Sequence, residues 1–183
     1  TGMIYACIKF IEEWHTPLTL INFTLLGIAS GFVLATAFSV YTAPALVKFF
    51  GWWAIGLTLT ALIFRAASLI RNKRIRHMSN LQTAIGVKHT KIQQKAQGAM
   101  GGSFNTREFF HGRSVMFLRS VKWIFIVLTF VVPVPLIFFA LSGGAVALFA
   151  LAHLLQYIGL VAERWFFFAQ AKHPQNLYYQ TIS

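Results

Sequence analysis

Glu163 and Arg164 adjoin within an apolar run, and His153 lies ten residues before them. A carboxylate, a guanidinium and an imidazole in such surroundings could carry protons, because ionisable side chains in a membrane span mark function by default. A structural reading competes for each. Neighbours on a helix do not face one another, so Glu163 and Arg164 are each expected to pair across to another helix and anchor the helix end. His153 is expected to hydrogen-bond within a bundle. Arg65, about a turn before the end of its own apolar run, is expected to snorkel to the interface. A transmembrane haem needs two histidines at matching depth on facing helices. Only His153 lies well inside a span, while His15, His77, His89, His111 and His173 lie at ends or between spans, so no haem site is expected. The single cysteine, Cys7, excludes an internal disulfide and a cysteine-based metal or iron–sulfur site. With four acids in the chain, no catalytic residue and no metal ligand is expected.

The elements that must position these residues are four apolar runs of about twenty residues, the length a bilayer core requires. They span about 18–41, 49–70, 123–141 and 145–168. Hydrophobic residues make up 57% of the chain and charged residues 11%, with a mean hydropathy of +0.64; a soluble domain carries about 25% charged residues. Short connectors join the first run to the second and the third to the fourth. The expected fold is an all-α transmembrane helical bundle, with four helices in two antiparallel hairpins. The chain then divides into a first hairpin with its lead-in (1–70), a basic loop (71–122) and a second hairpin with its tail (123–183).

That loop holds eleven of the sixteen Lys and Arg residues against one acid, Glu108. Loops rich in Lys and Arg between spans stay cytoplasmic, which places both ends of the chain on the same side. The flanking spans account for the net charge of +12, so no nucleic-acid partner is expected. Arg71, Lys73, Arg74 and Arg76 form a juxtamembrane cluster suited to lipid headgroups or to docking an acidic partner subunit. Further along, Arg107, Phe109, Phe110 and His111 are candidate docking residues, since an exposed Phe pair needs membrane or protein over it. Asn105 and Glu108 resemble a capping box that would start a helix there, after a flexible passage containing Gly98, Gly101 and Gly102.

Local signals fix the span ends. Thr16 can cap the first helix with Pro17 at its first turn. Gly27 and Gly31 would let a neighbouring helix approach closely. Pro133 and Pro135 should kink the third span, and neighbours must satisfy the carbonyls they free. Trp52, Trp53, Trp123 and Trp165 sit near span ends, as interfacial aromatics do.

Met3–Cys7, Trp14–Thr19, Phe104–Gly112 and the closing Glu163–Ala169 with Leu177–Tyr179 resemble the dimethyl sulfoxide reductase membrane-anchor family. The resemblance runs nearly the whole length and looks like the second half of an eight-helix anchor, with four further helices before Thr1. Gln170 stands where that family commonly has an acid, and Pro174 follows His173. The resemblance implies a non-catalytic subunit that binds no cofactor of its own. Such anchors hold a molybdopterin catalytic subunit and an iron–sulfur electron-transfer subunit at the bacterial inner membrane and exchange electrons with quinone. The family's quinone pocket lies mainly in the other half, so no quinone ligand is carried onto these positions. His153 and Glu163 are the residues here considered for a proton or quinone path, with Glu12 and Glu13 at the membrane edge. A basic, cytoplasmic loop facing the iron–sulfur partner resembles the sulfite-oxidising branch, cytoplasm-facing sulfite dehydrogenases, more than the exported sulfoxide reductases. The alternative is a transporter or channel, which should line a midplane site with polar residues.

Overall fold

The computed structural model describes residues 1–76, 80, 82–83, 86–89, 91–92 and 114–172. Most of these are helical, and no strand occurs among the described residues. A short helix α1 (Gly2–Ala6) leads into α2 (Pro17–Thr42), a 3₁₀ turn (Pro44–Leu46) and α3 (Val47–Arg74). After the loop come α4 (Val115–Ile126), a π turn (Val127–Val131), α5 (Pro133–Leu141) and α6 (Ala147–Ala169).

The start of α2 forms as its residues dictate. Thr16 is extended and its side chain accepts from the Leu18 N–H at 3.4 Å, with Pro17 in the first turn. Thr19 Oγ1 donates back to the Trp14 carbonyl at 2.8 Å. Further along α2, the hydroxyls of Thr24, Thr36, Ser39 and Thr42 each donate to a carbonyl three or four residues earlier. Internal pairing of this kind lets polar side chains sit in an apolar helix without an unmet donor. The far end of α5 closes differently. Gly144 N–H donates to the Phe139 carbonyl and Gly143 N–H to that of Ala140, with Gly143 at φ +101°. This is a Schellman closure, and it needs a residue without a Cβ at the positive φ.

The second span outruns its apolar stretch by one turn, because Arg71–Arg74 continue α3 rather than opening the loop. Basic side chains at a helix C-terminus complement its dipole. The third span likewise begins at Val115, capped by Ser114, whose hydroxyl accepts from Phe117 N–H at 3.2 Å. Its interruption is the π turn just before Pro133, where one extra residue is absorbed into the helix. Asn105–Glu108, with the helix expected from them, and the closing 177–179 motif lie outside the described residues.

Among the described residues, three stretches are long and apolar enough to cross a membrane: Pro17–Thr42, Pro44–Arg74 and Val115–Leu141. That is the mark of an integral membrane protein. The fourth expected span, α6, is 23 residues long but falls outside this group, since His153, Gln156, Glu163 and Arg164 dilute its hydropathy. Helices α2 and α3 pack against each other, and α6 packs on α2, α4, α5 and the π turn between the last two. Trp52, Trp53 and Trp123 are exposed on the outside, as interfacial aromatics should be.

Among the described residues, Gly27 and Gly31 make no helix contact. A Cβ on either would meet nothing within 4 Å. The face of α2 that packs inward is Thr19, Asn22, Leu26, Ala29, Val33 and Thr36, which leaves both glycines on the opposite side. Close approach falls instead at Gly51, against Leu141, and at Gly159, against Thr129.

Candidate functional site

Polar layers interrupt the apolar core. One cluster packs around Val33, Ala54, Ile137 and Phe149, a second around Leu26, Ala61, Phe125 and Phe166, and a third around Ile11, Trp14 and Phe167.

Arg65 on α3 reaches across to Glu163 on α6, with Nη2 and Oε1 at 2.8 Å and side-chain exposures of 3% and 0%. The Arg65 guanidinium also lies over the Phe125 ring, 5.4 Å from its centroid. Snorkelling is therefore not what Arg65 does: a buried carboxylate on the facing helix draws it inward. Arg164 turns back onto the second oxygen of its neighbour Glu163 and also reaches across to Phe23 on α2. Its guanidinium stacks over Phe23 at 3.9 Å and Phe167 at 5.2 Å, and these rings hold it in the folded-back position. Both oxygens of Glu163 are thus engaged by arginines, and the trio carries a formal charge of +1. Removing one partner from such a buried group is far costlier than its net contribution suggests.

Gln156 builds a second layer. It is buried, and its Nε2 donates to Thr58 Oγ1 and to the Thr129 carbonyl, each at 3.3 Å. Pro133 has no N–H to offer the Thr129 carbonyl four residues earlier, so a neighbouring helix satisfies a carbonyl that the proline leaves open. Gly159, one turn along α6 from Gln156, lets that helix lie directly on the π turn. Neither Gln156 nor Gly159 was expected from the sequence as a contact. The signal was present: an amide in an apolar span facing a Pro-interrupted one.

His153 is half-buried, its ring 6.4 Å from that of Tyr157, and its Nδ1 has no hydrogen-bond partner among the described residues. Ten residues of helix put His153 about 15 Å from Glu163 along the axis, so the structure does not bring the two together. Gln156 lies between them.

At the basic end, Arg71 is turned inward. Its two terminal nitrogens both donate to the Glu12 carbonyl at 3.1 Å, one also to Asn72 Oδ1 and the other to the His15 carbonyl. Beside it, the Trp14 indole stacks on Phe167 at 5.1 Å and donates to the Phe167 carbonyl at 3.1 Å. Arg71 therefore fastens the lead-in to α3, whereas Lys73, Arg74 and Arg76 are exposed. Arg71→Gln is expected to raise amide exchange across residues 8–15 and to lower overall stability by about 1 kcal/mol. Unchanged exchange there would remove the fastening role. Arg107, Phe109, Phe110 and His111 lie outside the described residues.

Over its full length the chain is 55% identical to a subunit of the sulfite dehydrogenase of Allochromatium vinosum, and it spans 56% of that protein's length. No family model matches the sequence. No solved structure matches it.

Proposed function

We propose that this chain is part of the membrane-anchor subunit of a sulfite dehydrogenase-type oxidoreductase. The observation that carries the reading is identity of 55% along the entire chain to one subunit of such an enzyme, in a chain whose helices can cross a membrane. On this reading four spans lie in two antiparallel hairpins as half of an eight-helix bundle of the dimethyl sulfoxide reductase anchor type. The basic end and both ends of the chain face the cytoplasm, in the bacterial inner membrane. There Lys73, Arg74 and Arg76, with Arg107, Phe109, Phe110 and His111 beyond them, receive an iron–sulfur subunit and, through it, a molybdopterin catalytic subunit. Electrons pass to quinone at the complex, and this chain supplies position rather than catalysis.

The layered core suits that work. Arg65, Glu163 and Gln156 tie α3 to α6 at two depths, which holds the bundle in one register while a soluble partner docks on its end. Glu163 acts as a tie because both its oxygens are occupied. His153, whose Nδ1 has no hydrogen-bond partner among the described residues, is the better placed of the two for a proton or quinone path.

Gentle purification of the native complex, with mass spectrometry of its subunits and metal assay, tests this. The expected result is co-purifying molybdenum and iron–sulfur subunits that lack export signals. Export signals on the catalytic partner would reverse the orientation, and a chain that purifies alone without metal would move the reading to transport.

A further inference from the structure

We infer that the basic end of the bundle contains a built site for the phosphate of an anionic phospholipid. A cavity of about 340 Å³ opens where α3, α4 and α6 end together. Each of these elements contributes one lysine to its lining: Lys73 from the last turn of α3, Lys122 from α4 and Lys172 just beyond α6. They are distant in sequence and meet only through the fold. Two amides add donors. Asn72 gives its oxygen to Arg71, which leaves its amino group for the cavity it lines. Gln170 also lines it, and its buried Nε2 has no hydrogen-bond partner among the described residues. The one acid in the lining is Glu13, so the wall keeps a net positive charge.

The rest of the lining decides which anion fits. Leu69 and Phe166 form an apolar wall on the side of the spans. A phosphodiester headgroup with the first carbons of its chains matches donors above and hydrocarbon below, whereas a free phosphate ion uses only the donors. Basic pockets between membrane helices take anionic headgroups for this reason. The site is distinct from Arg71, whose guanidinium is committed to the lead-in. It takes Lys73 out of the docking set, leaving Arg74 and Arg76 for a soluble partner, and otherwise requires only that the helices span a membrane.

The test uses the full-length protein extracted from its own membrane in mild detergent. The triple variant Lys73→Gln, Lys122→Gln, Lys172→Gln and the single variant Lys122→Gln are compared with Lys48→Gln, a lysine at the opposite end of α3. Co-purifying lipid is measured by mass spectrometry, and affinity is measured with phosphatidylcholine vesicles with and without phosphatidylglycerol. Affinity for the anionic vesicles should fall about fivefold for each pocket lysine removed and roughly a hundredfold for all three, with Lys48→Gln unchanged. The single variant keeps the result readable if the triple one misfolds. Retention of the same anionic lipid by the variants would overturn the site. So would inorganic phosphate at millimolar concentration abolishing the preference for the anionic vesicles, since a free ion would then fill the site as well as the lipid does. Loss of other subunits with anionic lipid unchanged would reassign the three lysines to a protein contact.

Discussion

Glu163→Gln is expected to destabilise the folded bundle by about 3 to 5 kcal/mol, the largest effect of any single polar substitution in this core. The glutamine has nearly the same shape and can still accept a hydrogen bond, so the loss isolates charge. Arg65 is 2% exposed and Glu163 fully buried, which leaves the Arg65 guanidinium neither water nor an anion once the carboxylate is gone. Arg164, at 30% side-chain exposure, can relax toward the outside and softens the effect only on its own side. Thermal unfolding in detergent, followed by circular dichroism, is the measurement. Combining Glu163→Gln with Arg65→Met should recover a large part of the loss, because the pair then vanishes together. A double variant no better than the single one would mean that Arg65 and Glu163 are not coupled. The same series separates a tie from a proton carrier. If the complex passes electrons to quinone as proposed, their passage in the recovered double variant supports the tie, and its abolition with stability restored would return Glu163 to the proton path.

Gly159→Val should cost about 3 kcal/mol and pull α6 away from the π turn. A Cβ at Gly159 would stand 2.5 Å from Thr129 Oγ1, 2.6 Å from its backbone nitrogen and 2.8 Å from the Leu128 carbonyl carbon. Two of those three atoms are backbone, so the contact cannot be relieved by rotating a side chain. Moving α6 outward also lengthens the 3.3 Å bonds from Gln156 to Thr58 and Thr129, so the clash and the loss of polar pairing come together. Gly27→Val is the matched control, since a Cβ there meets nothing within 4 Å; its unfolding should stay within about 0.5 kcal/mol of the parent. Equal effects at the two glycines would show that helix propensity, rather than contact, sets the cost.

Much of the helical framework was legible because its causes are local. Runs of about twenty apolar residues, the Thr16–Pro17 cap and the helix-breaking prolines each act over one or two turns, and α2 begins where they say. The end of α3 ran past its apolar stretch because Arg71–Arg74 can be helical without being apolar, and α4 began before the expected run because Val115–Lys122 is apolar apart from Arg119, Ser120 and Lys122. Hydropathy marks what a membrane can cover, not where the hydrogen-bonded helix stops.

Partnership was not legible in the same way. That Glu163 has few options in an apolar run follows from its charge, but that Arg65 rather than Arg164 answers it across helices depends on rotation. A shift of one residue turns a helical side chain by about 100°, and nothing local fixes that angle. Gly27 and Gly31 carry the close-packing spacing yet face outward, while Gly159 makes the tightest approach to a neighbouring helix. Likewise Arg71 and Lys73 are two steps apart in one basic cluster. The helix sends the first onto the lead-in and the second into the lysine-lined cavity. The sequence by itself determined that this chain forms long apolar helices with one strongly basic end, because burial of apolar length and the cost of unpaired backbone groups allow no other state in a membrane. Which charges meet, which glycine is needed and which lysines converge were decided by the tertiary structure alone, because those outcomes depend on how helices distant in sequence are rotated and set against one another.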